Sequence, residues 1–117
     1  MKTTHAILAA TAAAATLALT PAHADVDSNC YNEWNAAVIT QKIGEKCRFL
    51  DAAAAAKIQA TQAARMQCAT AKATPAEKGE IAKMASAAEA DGARRAAQAQ
   101  CGEMRKAFDM NVSRLAR

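Results

Sequence analysis

Apolar positions recur along most of this chain at intervals of three and four residues, the spacing that lines one face of a helix. From Cys30 the series continues through Trp34, Ala37, Val38 and Gln41, and Asp27 or Ser28 precedes it in the position of an N-cap. Gly44 follows Ile43. Glycine readily takes the left-handed conformation that closes helices, so the first helix is predicted to end there. A second helix is predicted from about Glu45 to Lys72, with Cys47, Leu50, Ala54, Ile58, Thr61 and Cys68 in a near-heptad stripe.

Thr74-Pro75-Ala76-Glu77 is the sharpest local signal. Thr74 is placed to cap, Pro75 occupies the first helical position, and Glu77 completes a capping box. The helix that starts there carries Ile81, Met84 and Ala88 on one face. Cys101, Met104, Phe108, Val112 and Leu115 form a further stripe that is out of phase with the first. A kink or short break is therefore expected between Asp91 and Gly102. Glu80 with Lys83 and Asp91 with Arg95 are spaced as surface ion pairs, which support a helix by a few tenths of a kcal/mol, ~0.2–0.5 each.

Ahead of these helices, MKTTHAILAATAAAATLALTPAHA has the three parts of a secretory signal. Lys2 supplies the positive start, Ala6 to Leu19 an uncharged apolar run, and Ala22-His23-Ala24 a small-x-small cleavage triplet. The apolar run falls short of the roughly 20 residues that span a bilayer, and no cysteine stands at the cleavage point to carry a lipid. Cleavage near Ala24 leaves residues 25–117 as a single helical domain, periplasmic or secreted, with no transmembrane span. An alanine-heavy signal of this kind fits a Gram-negative periplasm. Asn111-Val112-Ser113 matches the N-glycosylation pattern, which carries meaning only in a eukaryotic secretory pathway.

Composition then fixes the fold class. Alanine, the best helix former, is the commonest residue, while the whole chain holds only 4 Gly and 2 Pro. The expectation is an all-α, alanine-rich, antiparallel helical bundle of about three helices. Its core is thin: Tyr31, Trp34, Phe49 and Phe108 are the only aromatics, and alanine buries little area. Small chains with such cores need staples, and the 4 cysteines, all beyond the signal, supply them. An even cysteine count in a short exported chain reads as a disulfide framework.

Geometry ranks the pairings. A helix from Cys47 to Cys68 would hold the two roughly 31 Å apart at 1.5 Å per residue, whereas a disulfide needs α-carbons within about 7 Å. If the second and third helices form a hairpin turning at Thr74, Cys47 and Cys101 lie level, each 27 residues from the turn. That favours Cys47–Cys101 with Cys30–Cys68. The competing set, Cys30–Cys47 with Cys68–Cys101, requires the third helix to bend back sharply. The preferred set has its own strain, because a simple antiparallel first helix would put Cys30 nearer Lys57 than Cys68.

The residues that carry chemistry are few. Both histidines, His5 and His23, lie in the signal, so a Ser-His-Asp or Cys-His arrangement cannot be built beyond it, nor a His-containing zinc site. No C-x-x-C spacing supports thioredoxin-type redox chemistry. Asp27, Glu33, Glu45, Asp51, Glu89 and Asp91 could in principle furnish a glycosidase pair, but they read as capping or solvated-face residues. No nucleotide, phosphate or calcium fingerprint is present. No catalytic residue, cofactor or metal is expected.

Charge adds one candidate surface. The net charge of +4 falls to +3 once Lys2 is removed. Lys57, Arg65 and Lys72 stand in a segment without acids, and Arg105 and Lys106 lie in a basic tail with Arg114 and Arg117. Together Lys57, Arg65, Lys72, Arg105 and Lys106 form a candidate face for anionic partners, set against a simple solvated surface. With few aromatics to stack bases, nucleic acid is not expected. Met66, Met84, Met104 and Met110 are spaced as core fillers rather than as a copper cluster. Trp34, on the face of Cys30, is expected to pack against the first disulfide. The function these features favour is a non-enzymatic exported protein that binds another macromolecule, a protein partner above all, as an inhibitor or interaction module. A periplasmic stress chaperone and a small paired-carboxylate enzyme are the alternatives.

Overall fold

The computed structural model describes residues 26–115; the expected signal segment and cleavage near Ala24 lie outside them. The described chain is all-helical: α1 (Ser28–Cys47), α2 (Ala52–Thr70), α3 (Pro75–Ala97) and α4 (Cys101–Leu115). Four helices thus stand where about three were expected.

The extra boundary divides what the sequence reads as the second helix. Gly44 does not end α1, which continues for another turn to Cys47. Arg48 then takes the left-handed conformation, with φ 61°. The Phe49 N–H donates to the Gly44 carbonyl at 2.8 Å, the long-range bond of a Schellman closure. Asp51 starts the next helix by accepting from the Ala54 N–H at 2.8 Å. Arginine is a good helix former, and the RFLD segment has no glycine or proline to stop a helix, so Asp51, a capping residue type, is the one local sign of the boundary. Cys47 consequently belongs to α1.

The other boundaries follow local chemistry. Asp27 caps α1 by accepting from the Cys30 N–H at 2.9 Å. At the start of α3, Thr74 and Glu77 exchange capping-box bonds of 2.8 and 3.1 Å. α3 and α4 are separate helices with the break at Gln98–Gln100, inside the interval where the two apolar stripes change phase.

α1 is the hub, packing against α2, α3 and α4, and α2 also packs against α4. α2 and α3 do not pack extensively on each other, so the expected hairpin about Thr74 is not how the chain closes. Instead α3 lies along α1. A Cβ at Gly92 would lie 3.5–3.8 Å from Lys42, Val38 and Ile39, in ordinary van der Waals contact with α1. The Lys46 ammonium donates to the Ala97 carbonyl at 3.0 Å, closing the end of α3 from α1.

Two apolar clusters result. One gathers Val26, Cys30, Tyr31, Trp34, Val38, Ala69 and Ile81. The other gathers Ala54, Ile58 and Phe108, with Phe49, Leu50, Val112 and Leu115 against it. Disulfides join Cys30 to Cys68 and Cys47 to Cys101, with Cα–Cα distances of 5.8 and 5.4 Å. Each links the terminal turn of one helix to the first turn of another. Such bonds form and persist in oxidising environments. No described helix is long and apolar enough to cross a membrane.

Candidate functional site

A groove of about 510 Å³ lies where α1, α2 and α4 meet. The periodicity of α1 explains its floor. Trp34 and Val38 point into the first cluster, while Ile39 and Ile43, one position further round, remain half-buried and line the groove. Leu115 of α4 faces them, and the Thr61 hydroxyl of α2 donates to its carbonyl at 3.1 Å, tying the end of α4 to α2. Thr40 is buried beside them, its hydroxyl donating to the Ala36 carbonyl at 2.8 Å.

The rim is charged. Arg65 of α2 pairs with Glu33 of α1 at 2.9 Å. Arg114 also lines the groove and has no carboxylate partner among the described residues. Met110, one position before the rim residue Asn111, is the one large hydrophobic side chain exposed among the described residues.

A second, smaller hollow of about 270 Å³ lies between α2 and α4. Here the structure brings together two of the predicted basic residues, Lys57 and Arg105, but Asp51 and Asp109 line the same hollow. Arg105 bonds Asp109 at 3.2 Å and lies over the Phe49 ring, 4.9 Å from its centroid. The Phe49 ring in turn tilts against Phe108 at 5.3 Å. Arg65 belongs to the larger groove, and the exposed Lys72 and Lys106 line neither hollow. The five cations therefore occupy several surfaces, and two of them sit beside neutralising carboxylates.

Five of the six carboxylates considered for a glycosidase pair have structural tasks. Asp27 and Asp51 cap helices, Glu33 pairs with Arg65, and Glu45 accepts from Gln41 at 3.0 Å. Asp91 is held below the usual carboxylate range, chiefly by its hydrogen bond from Arg95 and further by the Arg94 and Arg95 charges. Glu89 is exposed. One cluster has metal-ligating atom types: a carboxylate oxygen of Asp27 and the sulfurs of Cys30 and Cys68 lie within 4.8 Å of one another. The two sulfurs are bonded to each other and the carboxylate is engaged as a cap, so the cluster in this state offers no thiolate to a metal.

Sequence reasoning did not single out Ile39, Ile43 and Leu115 as one surface. The available signal was the pair Ile39 and Ile43, four apart and off the main stripe of α1. Comparison with protein-family models, curated proteins and solved structures finds no match to this chain.

Proposed function

We propose that this chain is an exported, non-enzymatic helical protein that acts by binding another protein, and that the α1–α2–α4 groove receives the partner. The observation that carries this reading is the groove itself. Ile39, Ile43 and Leu115 form an apolar floor beneath a rim where Arg114 has no carboxylate partner among the described residues. An apolar floor with a few placed polar groups is the usual form of a recognition site. The partner it fits presents an apolar side chain for the floor and a carboxylate for Arg114. The opposed order of the α1–α2 contacts, Cys30 to Cys68, Glu33 to Arg65 and Gln41 to Gln62, supports the expected antiparallel arrangement for that helix pair. Its effect is to hold the two walls of the groove in register.

A photo-crosslinking residue at Asn111, on the rim, is expected to yield one discrete adduct in periplasm. The same residue at Ala87, on the exposed side of α3, yields none. Ile39→Glu, which puts a charge on the floor, abolishes the Asn111 adduct while leaving helicity unchanged. Equal adducts from both positions, or an adduct indifferent to Ile39→Glu, would sink the reading. The chaperone alternative calls for broad apolar exposure, and Met110 at 46 % is a small surface for that purpose.

A further inference from the structure

We infer that Cys30–Cys68 is a thiol–disulfide exchange site, attacked at Cys68 by a thiol or dithiol reductant, while Cys47–Cys101 serves as the lasting staple. Exchange rates depend on access to the attacked sulfur and on how well the departing sulfur carries negative charge. The two sulfurs of this bond differ first in access. Cys68 is exposed in the last turn of α2, whereas Cys30 is buried at 8 % in the first turn of α1. The first turn of a helix carries its positive end and favours a thiolate, while burial of Cys30 in the apolar cluster opposes one, so access sets the direction. Attack is thus directed to the accessible Cys68, with Cys30 as the leaving thiolate.

In this step the incoming thiolate sulfur bonds to Cys68 Sγ, the Cys68–Cys30 bond breaks, and its electron pair leaves on Cys30 Sγ. A second thiolate from the reductant then displaces Cys68 from the mixed disulfide. The products are two reduced cysteines and the oxidised reductant. The second disulfide has the same end-to-end polarity, since Cys47 closes α1 and Cys101 opens α4. Access separates the two, because Cys47 and Cys101 are both half-buried.

Asp27 acts as a brake. Its carboxylate lies within 4.8 Å of both sulfurs and opposes the incoming and the departing thiolate alike. Asparagine caps a helix as well as aspartate does, so Asp27→Asn removes the charge and keeps the cap.

Opening this bond loosens the start of α1 from the end of α2, where, among the described residues, the bond from the Asp27 N–H to the Ala69 carbonyl, 3.1 Å, is the other backbone link. The test treats the isolated, fully oxidised protein with reduced glutathione, quenches with acid, alkylates, and maps the products by mass spectrometry. The glutathione adduct is expected on Cys68 and the alkyl label on Cys30. Cys47–Cys101 reacts roughly tenfold more slowly. Asp27→Asn speeds the first step by about three- to tenfold. An adduct on Cys30, labelling of Cys47 or Cys101 at the same rate or sooner, or no acceleration in Asp27→Asn would overturn the assignment.

Discussion

At Gly44 a single added carbon would meet Phe108 Cε1 at 2.7 Å and Leu50 Cδ2 at 2.9 Å, closer than carbon atoms approach without displacement. The residue that reads as a helix stop is therefore a contact point, where α4 and the α1–α2 turn close against the α1 backbone. Gly79, also helical, has nothing within 4 Å of the same added carbon. The two glycines predict opposite outcomes for one substitution. Gly44→Ala is expected to cost about 1–3 kcal/mol through overpacking. Gly79→Ala is expected to gain about 0.5–1 kcal/mol by improving helix propensity. Denaturant midpoints of the two variants against the parent check both signs, and a neutral Gly44→Ala would show that Phe108 and Leu50 yield freely.

Among elements, the stop between α1 and α2 is the one the residues conceal. Arg48 holds a left-handed conformation at φ 61°, which glycine adopts without steric cost. Arg48→Gly is expected to raise stability by about 0.5–1 kcal/mol, seen as a small upward shift in thermal midpoint. A downward shift would mean that the arginine side chain contributes more than its backbone conformation costs. By contrast, the starts of α1 and α3 and the break before α4 were legible. Asp27, the Thr74–Glu77 box and the change of stripe phase each act within a few residues, where sequence and local structure are nearly the same information.

In the molecule as a whole, stability is divided between two small clusters, each bordered by a disulfide that closes a long stretch of chain. The sequence separations are 38 and 54 residues, a range where each bond stabilises by about 3–5 kcal/mol. Tyr31, the single tyrosine of the chain, reports on the first cluster. Burial pushes its phenol above the ordinary value of 10.0. The neutral phenol is the form the fold accommodates. The stability it contributes is thus fully present below pH 10 and is lost as pH rises through the elevated folded value. Phenolate absorbance is expected to rise above pH 10 together with loss of helical circular dichroism. Tyr31→Phe should shift that alkaline transition to higher pH; an unchanged transition would place its cause elsewhere.

The sequence by itself determined helical content, most helix starts, the need for staples and the absence of histidine beyond His23. Helix propensity, capping and cysteine count act locally or by composition, so they can be read without a fold. The tertiary structure alone decided that α1 is the hub, that α3 lies along α1 instead of turning back on α2, and that Cys47 closes α1. It also separated the cations: Arg65 faces Glu33, Arg105 faces Asp109, and Lys72 and Lys106 stand apart. The groove is the clearest instance. Ile39, Ile43, Arg65 and Leu115 come from three helices, and only the packing of those helices around α1 makes them one surface.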